Sequence, residues 1–137
     1  MKNLFVIFLI LLLGCGVEEA TPTKPANDNF MTDAATKISM GSIMGINHTV
    51  SGTATVYESD GEYTLVLDPF QSQNGPDLKV YLSKDIGAKS FIRLGVLKST
   101  TGKQAYAIPS SITLAEYPYA HIWCEAFSVE FARAMLN

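Results

Sequence analysis

The chain has 137 residues, of which ten are Lys or Arg and thirteen are Asp or Glu, so its net charge is −3. The basic residues are scattered singly, which argues against nucleic acid as a partner because such binding needs a concentrated positive surface. Two histidines and two cysteines, without Cys-x-x-Cys or His-x-x-x-His spacing, also argue against a zinc site.

The N-terminus, "MKNLFVIFLILLLGC", has the pattern of an export signal. Lys2 precedes an unbroken apolar run of roughly ten residues, which is the length of a secretory h-region and about half of what a bilayer-spanning helix needs. A buried core helix would carry polar residues on one face, and this run has none. We therefore predict that residues 1–14 are a signal peptide that is removed on export.

The apolar run ends in "LLGC", residues 12–15, which resembles the lipobox of bacterial lipoproteins. The resemblance implies thioether lipidation of Cys15, cleavage before it and acylation of the new N-terminus. Two or more acyl chains hold a protein stably on a membrane, whereas one chain binds only marginally. We expect an exported protein that is lipid-anchored to a bacterial membrane and faces the periplasm or the cell surface. Loss of Lys2 with the signal peptide leaves it with nine basic and thirteen acidic residues.

The next stretch, "GVEEATPTKPANDN", is rich in Pro, Thr, Asn and charged residues and has almost no large apolar side chain. Such a segment cannot bury enough surface to offset its ordering entropy, so it is expected to stay extended and mobile. We predict a flexible tether over residues 15–37 and one folded domain over residues 38–137, which is long enough for a single core.

Short β-type segments alternate with turn signals in the folded part. The segment "HTVSGTATVYE" ends at a hairpin-type turn around Asp60-Gly61, and the predicted strand "YTLVLDPF" follows. A loop is predicted at "QSQNGPD" because Asn-Gly-Pro disfavours regular structure. The strand "LKVYLS" comes next, and its alternation places Leu78, Val80 and Leu82 on one face.

The second half of the domain continues the same pattern. "SFIRLGVLK" and "QAYAIP" are predicted strands joined by the turn "STTGK", and the last strands run over residues 119–131. "KISMGSIMGIN" is expected to be a strand or a loop across the sheet, because its glycines oppose a stable helix, and "ARAML" is expected to form a closing helical turn. No stretch has the length and period of a crossover helix. We predict an all-β fold, a single antiparallel β-sandwich or barrel-like domain of short strands.

Together, the segments "HTVSGTA", "YTLVLDPF", "NGPDLKVYLS", "RLGVLKSTTGKQAYAIP" and "HIWCEAFSVEFARAML" resemble the DM-thirteen domain. This module is found beside DOMON and b-type cytochrome domains and often alone in bacterial lipoproteins. The resemblance implies an all-β fold and electron transfer through the family's cysteine, which maps onto Cys124. It further implies that Cys124 is a free redox thiol or a ligand to a prosthetic group such as haem, and that the partner is an envelope redox protein.

Strand alternation leaves two arrangements open for Cys124. If the last strand is regular and Phe127 faces the core, His121 shares the core face and Cys124 points the other way. If a bulge near residues 125–126 shifts the parity, Cys124 faces the core and is buried. In a regular strand His121 lies opposite Cys124 and cannot activate it, and the acidic neighbour Glu125 disfavours a thiolate.

The leading hypothesis is a membrane-anchored envelope lipoprotein with an electron-transfer or thiol-redox role centred on Cys124, which has no disulfide partner if Cys15 carries lipid. The alternative is a non-enzymatic binding or scaffolding module in which Cys124 is a core residue. His48 is expected to cap or pair locally, and Asp68 and Asp77 to cap turns through their own backbone. Because no nucleophile elbow, phosphate loop or nucleotide fingerprint is present, the sequence favours a redox component over a classical enzyme.

Overall fold

The computed structural model describes residues 20–137. The predicted signal peptide over residues 1–14 and the predicted lipidation site Cys15 lie outside the described residues. Within residues 20–137, no helix is long and apolar enough to cross a membrane.

Nine β-strands form one sheet that curls into a half-barrel. The strands are β1 (Ala26–Asn27), β2 (Thr36–Gly45), β3 (Val50–Ser59), β4 (Glu62–Ser72), β5 (Leu78–Ser83), β6 (Phe91–Val96), β7 (Gly102–Ile108), β8 (Tyr119–Cys124) and β9 (Val129–Met135). Their order across the sheet is β1-β7-β4-β3-β2-β9-β8-β5-β6, and every pairing is antiparallel except that of β1 with β7. The all-β prediction is confirmed in its barrel-like form.

The inner face of the sheet holds a single hydrophobic core. In β5, Leu78, Val80 and Leu82 are fully buried in this core, as the alternation predicts. The two ends of the sheet approach each other, since the backbone N–H of Lys98 after β6 donates to the Tyr106 hydroxyl of β7 at 3.0 Å. Curling therefore lets one sheet enclose its own apolar face, which a flat sheet could bury only against a second layer.

The C-terminal segment differs from its prediction. "ARAML" does not form a helical turn but belongs to β9, which pairs with β8 and, at Met44 and Gly45, with β2. Ala132 and Ala134 are buried in the core, whereas Arg133 between them faces outward, which is a period of two. Strand pairing on both sides satisfies backbone groups that a single helical turn would leave free. The ambiguous segment "KISMGSIMGIN" is also a strand, β2.

The fold begins earlier in the chain than the predicted boundary at residue 38. The short strand β1 pairs with the edge of β7, and the Asp28 carboxylate forms an ion pair with Lys98 at 2.5 Å. Upstream of β1, the backbone N–H of Thr100 donates to the carbonyl of Pro22 at 2.9 Å. These contacts cover the exposed edge of β7, whose backbone groups would otherwise lack partners. Residues 20–37 therefore lie along the domain instead of standing clear of it as a tether.

Candidate functional site

The hairpin of β8 and β9 gives the two faces of β8 different chemistry. A turn over residues 125–128 separates β8 from β9, so residues 119–131 do not form one continuous strand. In β8, Cys124 faces the core, whereas His121 and Trp123 face outward. The buried arrangement is therefore the one found for Cys124, but Phe127, which was expected to face the core, lies in the turn and is 68% exposed. The parity changes through this turn and a register shift within the hairpin, between Ile122 and Trp123, not through a bulge near residues 125–126.

Cys124 is fully buried, with 0% of its surface exposed, and is the only free cysteine among residues 20–137. Its thiol donates a hydrogen bond to the carbonyl oxygen of Pro76 at 3.1 Å. Because Pro76 is itself partly exposed, the thiol lies directly beneath a surface loop. Reactive cysteines are partly accessible, so this thiol can react with another molecule only after the loop moves.

Residues 73–77, which we call the covering loop, lie over Cys124 and are held by the N-terminal segment. The side-chain amide of Asn74 donates to the carbonyl of Thr21 at 2.9 Å and accepts from the backbone N–H of Thr21 at 3.2 Å. The Thr21 hydroxyl donates in turn to the carbonyl of Gly75 at 3.4 Å. The first residues that the structure describes are thus bound to the loop that covers the thiol.

Three aromatic side chains, Tyr81 of β5, Phe91 of β6 and Trp123 of β8, form a stack on the outer face, which we call the aromatic stack. The Tyr81 ring centroid lies 4.2 Å from that of Phe91 and 5.9 Å from that of Trp123, with interplanar angles of 16° and 17°. The Arg93 guanidinium lies 6.0 Å from the Tyr81 ring. Tyr81 is only 3% exposed although it faces outward, because these neighbours cover it.

Glu125, at the start of the turn after β8, binds the polar end of the aromatic stack. One carboxylate oxygen accepts from the Tyr81 hydroxyl at 2.5 Å and from Arg93 Nε at 2.6 Å, while Lys79 lies 3.8 Å from the other oxygen. Burial raises the pKa of Tyr81 to about 12, and the hydrogen bond to Glu125 adds to the shift. Burial alone would raise the pKa of Glu125, but the hydrogen bonds from Tyr81 and Arg93 outweigh it and hold this pKa below its usual value.

His121 forms a second polar network on the outer face of β8. Its Nε2 lies 2.6 Å from Ser83 Oγ and its Nδ1 lies 2.6 Å from a carboxylate oxygen of Glu130, whose other oxygen pairs with Arg133 at 2.8 Å. Burial lowers the pKa of His121 below its ordinary value, although the Glu130 carboxylate opposes the shift. The order Ser–His–Glu matches a catalytic triad. Ser83 and His121 are buried, however, so the network joins β5, β8 and β9 and offers no nucleophile to a substrate.

Two of the remaining candidate residues, His48 and Asp77, have partners close to them in the sequence. His48 Nδ1 lies 2.8 Å from the carbonyl two residues before it, and its ring stacks on Phe131 at 3.7 Å. Asp77, at a φ of 59°, forms an ion pair with Lys79, and Asp68 is exposed near the end of β4. Within residues 20–137, no group of three His, Cys, Asp or Glu side chains could hold a metal ion.

The surroundings of Cys124 do not fit a haem ligand. A thiolate-ligated haem needs a wide apolar pocket beside the sulfur, whereas this sulfur is packed in the core and bonded to a carbonyl. The core cavity between Ile43, Leu67 and Val80 measures about 10 Å³, which is room for about one water molecule. A haem bound through Cys124 therefore does not fit this site.

Sequence patterns identified candidate residues in β8 but not the residues that contact them on the outer face, which are Tyr81, Ser83 and Glu130. A signal for two of them was present, because Tyr81 and Ser83 alternate with the buried leucines of "LKVYLS" and so share the opposite face. What the sequence lacked was the pairing of β5 with β8, which sets Tyr81 directly opposite His121.

The described chain is thus a curled β half-barrel with one buried thiol on its inner face and a covered aromatic and acidic cluster on its outer face. The chain belongs to the DM13 family: the family model described as "Electron transfer DM13" matches residues 43–136. The match confirms the resemblance seen in the sequence and assigns the domain to a family described by electron transfer. No curated protein and no solved structure matches the chain.

Proposed function

We propose that this protein is an electron-transfer module that is held at a membrane through lipidated Cys15 and uses Cys124 as its redox-active thiol. The family description supports electron transfer. The observation that carries the assignment to Cys124 is its position directly beneath Pro76, where a single hydrogen bond joins the thiol to a partly exposed loop.

The proposed chemistry is thiol–disulfide exchange with an envelope protein that carries a disulfide. The Cys124 thiol loses its proton, its sulfur attacks one sulfur of the partner's disulfide, and the other sulfur leaves as a thiolate. A small envelope thiol then attacks the Cys124 sulfur of the mixed disulfide and releases the partner's first sulfur as a thiol. A second molecule of the small thiol restores Cys124, so the partner's disulfide is reduced to two thiols while two small thiols are oxidised to their disulfide. Each step needs the Cys124 sulfur at the surface, so exchange follows displacement of the covering loop.

A second function is favoured by one specific observation, the complete burial of Cys124 among core residues. In this alternative the protein is a non-enzymatic binding or scaffolding module, and the cysteine only fills space, as buried cysteines commonly do.

Thiol labelling distinguishes the two functions. The full chain with Cys15→Ser retains Cys124 as its single thiol, and Cys15→Ser/Cys124→Ala is the matched blank. The chain must retain residues 20–29, because they dock on the domain. The redox function predicts that Cys124 reacts in native buffer faster than global unfolding allows, and that it forms a mixed disulfide with a small disulfide reagent. Labelling that appears only with global unfolding would exclude exchange at Cys124 and favour the binding module.

The membrane anchor is tested separately. We expect wild-type protein and Cys124→Ala to sediment with membranes, and Cys15→Ser to appear in the soluble envelope fraction, because the acyl chains supply the attachment. If Cys15→Ser remains on the membrane after a high-salt wash, the lipid is not the anchor.

A further inference from the structure

We propose that Tyr81 is a redox-active tyrosine, whose one-electron oxidation is coupled to transfer of its phenolic proton to Glu125, with Trp123 as the electron carrier nearer the surface. This site lies on the outer face of β8, away from the inner face that holds Cys124. It goes beyond the thiol function and does not depend on it.

The proton has a short and defined path. The Tyr81 hydroxyl donates to Glu125 Oε1 at 2.5 Å, which is within the range of charge-assisted O–H···O⁻ hydrogen bonds. When an oxidant takes one electron from the phenol, the O–H bond breaks and its proton forms a new O–H bond on Glu125. The products are a neutral tyrosyl radical, a protonated Glu125 and an oxidant reduced by one electron, and the return of the electron and proton restores the starting state.

The electron also has a path to the surface. The indole of Trp123 is partly exposed and lies nearly parallel to the Tyr81 ring, with 5.9 Å between the ring centroids. A high-potential oxidant, such as an oxidised metal complex, removes one electron from Trp123. The indole radical cation then takes an electron from Tyr81, so Trp123 is restored and the oxidised group is Tyr81. On the other side of Tyr81, Phe91 covers the phenol without being oxidised itself.

The charges around the acceptor support proton transfer in this direction. Arg93 and Lys79 face Glu125 and keep it a carboxylate, which is the form that accepts a proton; Lys79 also pairs with Asp77. The raised pKa of Tyr81, about 12, means that the phenol is protonated at neutral pH, so its proton must leave with the electron. The Glu125 side chain is 23% exposed, which lets the proton exchange with water while the phenol stays covered.

The same contacts could serve only to stabilise the fold, so the test must locate a radical. In the full-length protein in detergent, a flash-generated ruthenium(III) polypyridyl complex serves as the oxidant, and the radical is identified by electron paramagnetic resonance and transient absorption. Tyr81→Phe keeps the stacked ring and removes only the hydroxyl. Tyr119→Phe is the matched control, because Tyr119 lies on the same face of β8 and its ring is next to His121 instead of Glu125. Circular dichroism verifies that each variant is folded.

We expect Tyr81→Phe to abolish the long-lived tyrosyl signal and to leave the tryptophanyl radical of Trp123 in its place, while Tyr119→Phe behaves as the wild type. Glu125→Gln should slow formation of the tyrosyl radical about tenfold or more, equivalent to ~1.4 kcal/mol of activation free energy, because an amide is a poor base. Wild-type protein should oxidise more slowly in D₂O than in H₂O, a readout that needs no variant. A tyrosyl signal that survives in Tyr81→Phe, or a wild-type rate without a solvent isotope effect, would overturn the proposal.

Discussion

The substitution Asn74→Ala tests whether the N-terminal segment controls access to Cys124. It removes the two hydrogen bonds that the Asn74 side chain makes with Thr21 across the covering loop, and a third, inside the loop, that its Oδ1 accepts from the backbone N–H of Gly75 at 2.7 Å. Each of the two bonds to Thr21 contributes a net ~0.5–1.5 kcal/mol, so their loss alone destabilises the docked loop by roughly 1–3 kcal/mol relative to the opened one. Because each 1.4 kcal/mol is a factor of ten, opening should become roughly five- to 150-fold more frequent.

The assay is the labelling rate of Cys124 by a small thiol reagent in native buffer, in the Cys15→Ser background. When the loop opens and closes faster than the reagent reacts, the labelling rate is proportional to the open population and should rise by the same factor. Gln73→Ala is the matched control, since the Gln73 amide lies in the same loop but accepts from the backbone N–H of Thr49. Equal labelling rates in Asn74→Ala and Gln73→Ala would refute control by the N-terminal segment.

Three further predictions concern the stability of the fold, measured by urea unfolding. Because burial holds the pKa of His121 below 6.5, the unfolded chain binds more protons than the folded one as the pH falls below that value. The free energy of unfolding should therefore decrease by up to about 1.4 kcal/mol per pH unit, and His121→Gln should remove this dependence. A flat profile in the wild type would contradict the lowered pKa. Leu82→Ala should lower the free energy of unfolding by ~2–5 kcal/mol because Leu82 is fully buried, whereas Val129→Ala at an exposed position should lower it by less than about 1 kcal/mol. Equal decreases in the two variants would argue against the core as described. Gly61→Ala should lower the free energy of unfolding by about 1–2 kcal/mol because of the positive φ of Gly61 alone. Gly52→Ala should lower it clearly more, because a Cβ at Gly52 would also clash with the β4 backbone. The reverse order would be inconsistent with the structure.

Local patterns predicted most of the strands but not their neighbours. The alternation of "LKVYLS" predicted the buried face of β5, and Asp60-Gly61 predicted a hairpin that the structure confirms with φ values of 53° and 80°. "ARAML" was misassigned because alanine and methionine favour helices locally, whereas pairing with β8 and β2 decides its conformation. Propensity describes a segment by itself, and a strand is stabilised by what lies beside it.

In the candidate site, too, local patterns predicted individual residues but not their contacts with other strands. Cys124 was found from a motif, and its burial was one of two arrangements that alternation allowed. The choice between the two arrangements depends on the position of the turn between β8 and β9. The sequence does not show this position, because the residues around the turn also suit a strand. The contact of Tyr81 with Glu125 joins residues 44 positions apart in the sequence. Such a contact follows from the order of strands in the sheet, and no spacing along the chain predicts it.

The docking of the N-terminal segment also has a mechanical consequence. Ala20, the first described residue, bridges to Pro76, and Thr21 is bound to the covering loop, whereas β1 and its pairing with β7 come later along the chain. Tension transmitted along the chain from its N-terminal side is therefore borne first by the bonds to the loop and only afterwards by the sheet. Pro76 is also the residue whose carbonyl accepts the thiol hydrogen of Cys124. Force applied from the N-terminal side of the domain therefore acts on the covering loop above Cys124 before it acts on any strand of the sheet.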